Sequence, residues 1–184
     1  MRVDNRVTLV DEVAVVEGEV VNVSNDHNCF GCGRLNAHGL HLEFRLNPAG
    51  DGVWTRFLPS ARFEGYEGVI HGGIISTLLD EVMAWSLYRD DIWAVTGRMS
   101  VRFRTPMMVG EPVLAIGHIG QRRSRLIEMT GELLRETDSR VIADATASFV
   151  KVSEAQSRVW RAQYERDHHL ETPPASADTH LVTI

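Results

Sequence analysis

Lysine is nearly missing from this chain: Lys151 is the only one, so arginine supplies almost all of the 19 basic residues. Cysteine is scarce as well, and two residues build no disulfide framework. No run approaches the roughly 20 uninterrupted apolar residues of a membrane-spanning helix. Near the N-terminus, Asp4, Asp11 and Glu12 deny the chain the apolar core of a signal peptide. The expectation is a soluble, cytoplasmic protein with no membrane partner. Positive charge is in deficit, with 19 basic against 25 acidic residues for a net charge of −6. That argues against a nucleic-acid partner bound over a broad surface, while a local basic patch stays allowed. What is there fits one compact domain, because 184 residues with 43% hydrophobic and 24% charged content exclude disorder as the main state. The arginine bias is consistent with genome composition, but arginine forks also suit bidentate phosphate recognition.

Three regions follow from the punctuation of the sequence. Residues 1–26 form an N-terminal segment in which Val13-Ala14-Val15-Val16 and Val20-Val21-Asn22-Val23 have ambiguous periodicity. Residues 27–153 hold the main domain. It opens with a loop from Asn25 to Gly39, dense in turn formers. Alternation of Leu40, Leu42, Phe44 and Leu46 predicts a strand, and Gly50-Asp51-Gly52 predicts a hairpin turn into a second strand over Val53–Phe57. Pro59, Gly65 and Gly68 mark 58–70 as loop. A long helix is predicted over Gly72–Tyr88. Four runs follow, Ala94–Arg104, Val113–Gln121, Leu126–Glu136 and Val141–Val152, and they read as an antiparallel meander. Residues 154–184 are expected to give a short amphipathic helix to about Asp167 and then a loose tail. A sheet of about six strands with one long helix is an α+β arrangement that must bury the helix on one sheet face. On that helix Ile74, Ile75, Leu78, Leu79, Val82, Met83 and Trp85 cover a little over half of the circumference, so the sheet is expected to wrap it.

Asp80 and Glu81 are the ionisable residues of this apolar helix before its last turn. Asp80 shares a strip with Gly73, Thr77 and Ala84, whose small or hydroxyl side chains leave room for a ligand or water. Glu81 falls on the opposite edge of the apolar arc. Gly72 and Gly73 open the helix, where backbone N–H groups lack intrahelical partners and the macrodipole is positive. Without side chains, these positions let a ligand oxygen come close, as an oxyanion hole requires.

His71-Gly72-Gly73 with Asp80 nine positions after the histidine resembles the signature of hotdog-fold acyl-CoA thioesterases, in particular the PaaI-like phenylacetyl-CoA and 4-hydroxybenzoyl-CoA groups. Thr96 and the segment Ser100-Val101-Arg102-Phe103-Arg104-Thr105-Pro106 extend the match. The resemblance implies a hotdog fold and a metal-independent thioesterase without a cofactor. It implies Asp80 as general base or nucleophile, Gly72 N–H on the thioester carbonyl oxygen, and Thr96 positioning water or the carboxylate. His71 is implied to order the loop. Gly65 departs from the asparagine often found at that position in phenylacetyl-type members, so a polar handle on the thioester is missing or lies elsewhere.

Gly72 and Asp80 are eight residues apart on one helix, or about 12 Å at about 1.5 Å per residue. Both cannot touch one thioester, so either one of them is not catalytic or the site joins Gly72 of one chain to Asp80 of a second, antiparallel chain. The second option, which the resemblance also implies, makes a homodimer, or a dimer of dimers, the expected active unit. Arg102, Arg104, Arg122, Arg123 and Arg125 read as one basic cluster. Of these, Arg102, Arg104, Arg123 and Arg125, with Gly73, are the candidate contacts for an acyl-CoA partner and its phosphates. Cys29-Phe30-Gly31-Cys32 has zinc-like spacing with His27, His38 and His41 nearby. It lacks a second C-x-x-C and is expected to be a tight glycine turn beside the first strand. The competing readings are a hotdog hydratase acting on an enoyl or hydroxyacyl thioester, and a non-catalytic acyl-CoA-binding protein.

Overall fold

In a computed structural model the predicted runs become a six-stranded antiparallel sheet curled around one long helix. The structure describes residues 18–22, 25–47, 52–88 and 90–166. In chain order the elements are β1 (Arg45–Leu46), β2 (Gly52–Phe57), a 3-10 turn (Ala61–Phe63), β3 (Glu64–Tyr66), β4 (Val69–Ile70), α1 (Gly72–Tyr88), β5 (Ala94–Phe103), β6 (Val113–Arg122), β7 (Leu126–Arg135), β8 (Val141–Lys151) and α2 (Glu154–Arg166). The main sheet runs β1-β2-β6-β7-β8-β5, so β5 lies at its edge. This is the helix-in-sheet layering of a hotdog.

The helix is held close because the sheet has no side chains where the two meet. Gly117 on β6 and Gly131 on β7 are cross-strand partners. A Cβ on Gly117 would lie 2.4 Å from the Val82 carbonyl oxygen, and one on Gly131 would lie 3.3 Å from Leu79 and Met83. Into this trough α1 turns Ile75, Leu78, Leu79, Val82, Met83 and Leu87, all buried. Ser86 joins them: its hydroxyl donates to Val82 O (2.9 Å) and accepts Val53 N–H (3.2 Å), which satisfies a buried polar group. The helix ends where Asp91 takes a left-handed φ of 54° and its N–H bonds Tyr88 O (2.9 Å), a conformation aspartate tolerates better than most residues.

Three expectations need correction. The four runs after the helix do not form one meander: β6, β7 and β8 do, but β5 crosses to the far edge and pairs with β8, and β6 pairs with β2 instead. The strand expected over 40–46 is reduced to Arg45–Leu46. Leu40, Leu42 and Phe44 are buried as the alternation predicts, but His41 adopts φ 53° and breaks the ladder. Leu40 and Leu42 N–H groups bond Phe30 O and Gly31 O instead, and Phe44 N–H bonds Asn22 Oδ1. The segment 58–70, expected as loop, contains the 3-10 turn and the β3–β4 hairpin. Val13–Val16, Val23, Gly50, Asp51 and the chain after 166 lie outside the described residues.

Candidate active site

Asp80 sits half-buried on α1 and faces the edge strand. Thr96 Oγ1, at the start of β5, donates to Asp80 Oδ1 at 2.6 Å. Burial raises the Asp80 carboxyl above its ordinary value, the Thr96 bond pulls it back down, and the Cys29 charge pushes it up. A carboxylate held by a single hydroxyl keeps a lone pair for the proton of a water molecule.

At the start of the helix, Gly73 N–H donates to His71 Nδ1 (2.9 Å) and Ile74 N–H to His71 O (2.9 Å). His71 therefore caps α1, with ring and carbonyl both committed to its first turn. Gly72 N–H has no acceptor among the described residues. A Cβ on Gly72 would meet only the Phe103 ring, at 3.5 Å. A Cβ on Gly65 would lie 3.2 Å from His71, so this glycine makes room for the capping histidine. Beside the helix start lies a cavity of about 560 Å³ lined by Phe30, Arg62, His71, Gly73, Ile74 and Thr77, among others. The small-residue strip thus opens onto free space at its Gly73–Thr77 end.

The arginines do not form one cluster within the chain. Leu126 pairs with Val150, and Val150 with Val95, whereas Arg102 pairs with Asp144. The β6–β7 turn therefore lies about seven residues, or about 23 Å, from Arg102 along the strands. Arg104 is bonded to Asp144 (2.5 Å), Arg122 to Asp90, and Arg123 to Gln121 (3.1 Å). Alternation within each strand gave no information on which end of the sheet each arginine would reach.

Sequence reading also missed the surroundings of Glu81. Its carboxylate meets the Cys29-Phe30-Gly31-Cys32 turn, with the Cys29 thiol donating to Glu81 Oε1 over 3.6 Å. The 52 positions between them hid this contact. The turn is otherwise the tight glycine turn expected, closed by Gly33 N–H onto Cys29 O at 3.0 Å.

A family model described as "Thioesterase superfamily" matches residues 67–142, which span β4, α1, β5, β6 and β7 and reach the first two residues of β8. Over these residues the chain is similar to the thioesterase superfamily, in keeping with its hotdog fold. Among its relatives, an uncharacterized protein of Schizosaccharomyces pombe is 26% identical over 65% of this chain and 71% of its own length. Acyl-coenzyme A thioesterase THEM4 of Xenopus laevis is 24% identical over 64% of this chain and 54% of its own length. Hotdog structures with the same fold include thioesterase superfamily protein RHA08564 (TM-score 0.60, 24% identity, 64% of this chain and 60% of that one). Another is the BH2602 protein of Bacillus halodurans, solved with CoA (TM-score 0.57, 23% identity, 66% and 82%).

Proposed function

We propose that this hotdog protein hydrolyses acyl-CoA thioesters at a site shared between two chains. The observation that carries the reading is the Thr96–Asp80 hydrogen bond, which aims a half-buried carboxylate at the exposed face of the edge strand. The frog relative's name and the CoA in the Bacillus structure support the substrate class.

In the mechanism, Asp80 takes a proton from water as the water oxygen attacks the thioester carbonyl. Negative charge on the carbonyl oxygen is met by Gly72 N–H at the positive end of α1. The tetrahedral species collapses, expelling the CoA thiolate, which receives the proton held by Asp80. His71 positions Gly73 and Ile74 and takes no part in proton transfer. Its Nδ1 lone pair is taken by Gly73 N–H and so cannot accept a proton from water, which counts against a hydratase that uses this nitrogen as its base.

Edge strand β5 supports the two-chain arrangement. It is ten residues long and exposes Val95 and Phe103 on a free edge, a surface that single chains ordinarily protect. Its two ends carry the two halves of the chemistry, since Thr96 touches Asp80 and Phe103 touches Gly72. Antiparallel pairing of two β5 strands about an axis between Met99 and Ser100 sets Thr96 opposite Phe103. Gly72 of the partner subunit then approaches Asp80 despite the separation along one helix. The same pairing brings the partner subunit's Arg102 opposite Gly97, toward the end of the sheet that holds Arg123 and Arg125.

Release of free thiol from a panel of acyl-CoAs tests the reading. Wild type should turn over at least one of them, and Asp80→Asn should lose about 100-fold or more with its melting temperature preserved. Equal, slow thiol release by both would leave a binding protein.

A further inference from the structure

The Cys29–Cys32 turn and Glu81 stand outside the thioester chemistry. Bonds from Leu40 N–H to Phe30 O (2.8 Å) and from Leu42 N–H to Gly31 O (3.0 Å) pin this turn to the domain. The two thiols and the Glu81 carboxylate all lie within 4.8 Å of one another. Glycine at 31 is required for this approach, because a Cβ there would fall 2.3 Å from the Glu81 carboxyl carbon. Gly33 is equally constrained, its Cβ position lying 2.2 Å from His27 O.

The two thiols are not equivalent. Cys32 is 4% exposed and belongs to the core. Cys29 is half-buried and lines a cavity of about 460 Å³ with Glu81, Trp85, Tyr88 and Trp93. Cys32 lines the same cavity but is nearly fully buried, so Cys29 is the thiol that a small molecule there meets first.

We propose that Cys29 and Cys32 form a dithiol site for low-molecular-weight disulfides, with Cys29 as the attacking thiolate, Cys32 as the resolving thiol and Glu81 as the proton acceptor between them. Cys29 gives its proton to Glu81 and attacks one sulfur of the disulfide. A mixed disulfide forms, and the first thiolate leaves with the proton from Glu81. The freed carboxylate then takes the Cys32 proton, and Cys32 Sγ attacks Cys29 Sγ. The intramolecular disulfide forms, and the second thiolate leaves protonated. The protein loses two electrons and two protons, and the small disulfide becomes two thiols.

The electrostatics fit these roles. Accepting the Cys32 S–H draws the Cys29 thiol well below its ordinary value, while the same bond and burial push Cys32 up. Burial, then the Cys29 charge, pushes Glu81 up to about 8, so the carboxyl can hold and return a proton near neutrality.

Because the chain has only two cysteines, intact mass reads the outcome cleanly. The reduced full-length protein is incubated with glutathione disulfide. Wild type should lose about two mass units and both free thiols. Cys32→Ser should stop at one glutathione adduct on Cys29, and Cys29→Ser should form none in the same time. Glu81→Gln should slow both adduct formation and its resolution, each by about tenfold or more. Two thiols persisting in wild type, an adduct on Cys32, or a stoichiometric zinc ion that must be chelated before the thiols react would each overturn the proposal. None of these readouts depends on thioester hydrolysis.

Discussion

Asp80 and Thr96 are coupled, so removing the hydroxyl has a signed consequence. In Thr96→Val the carboxyl loses the bond that lowers its pKa and keeps the burial and the Cys29 charge that raise it. The acidic limb of kcat/KM should move to higher pH, and the plateau should fall about tenfold, measured as a pH–rate profile on one acyl-CoA. Glu81 makes a separate prediction about stability. Its pKa is raised in the folded state, so the folded chain binds this proton more tightly than the unfolded chain does. The stabilisation is complete below the ordinary carboxylate range and is lost as pH rises toward about 8. Cys29, Cys32 and Asp80 face it: the Cys29 and Asp80 charges raise Glu81 and the Cys32 hydrogen bond lowers it. Cys29, itself held below its ordinary value, contributes stability as pH rises in both proteins, so the comparison with Glu81→Gln isolates Glu81. The melting temperature of wild type should therefore fall between pH 5 and pH 8 by several degrees more than that of Glu81→Gln. Asp80, Gly72 and Thr96 could be named as candidates from the sequence because each belongs to a short motif or to a helix strip, and the structure adds the Thr96–Asp80 bond. The contact of Glu81 with Cys29 could not, because it comes from a loop whose placement depends on tertiary packing.

At the scale of elements, the glycine trough of β6 and β7 decides how closely α1 can lie. Gly117→Ala would force a methyl group to within 2.4 Å of the Val82 carbonyl oxygen, a helix backbone atom that cannot step aside. A loss of about 2 kcal/mol and a melting temperature lower by about 5 °C are expected, checked by thermal denaturation. The helix Gly72–Tyr88 and the four strands after it were readable from the sequence to within a residue or so at most ends, whereas the pairing of β5 with β8 rather than β6 was not. They are long, they are periodic, and Gly, Pro and Asp clusters separate them. The strand at 40–46 was misjudged because its burial alternates like that of a strand while its hydrogen bonds go to the neighbouring loop. Alternation reports which side chains are buried and says nothing about the ladder partner. The β3–β4 hairpin was missed because its five residues, four of them paired, are too few to carry a period.

At the scale of the whole molecule, the free edge of β5 connects the fold to the proposed chemistry. The spacing of Gly72 and Asp80 on one helix was visible in the sequence, and it already required a second chain for a two-part site. What the sequence could not supply was the placement of Thr96 and Phe103 at opposite ends of one exposed strand. That placement makes the two-fold pairing geometrically specific. In the proposed pairing the arginines, two groups at opposite ends of the sheet within each chain, would be brought together across the interface. Charge reversal at Arg123 or Arg125 should raise KM for acyl-CoA far more than KM for a short thioester without the nucleotide, with kcat changed little. Equal effects on both substrates would remove these residues from the binding surface. The most direct measurement of the two-chain site mixes Gly72→Pro and Asp80→Asn chains, each inactive alone, under conditions that allow dimers to exchange. Each mixed dimer rebuilds one intact site, so hydrolysis should recover to about a quarter of the wild-type rate. A mixture that exchanges subunits and stays inactive would contradict the shared site.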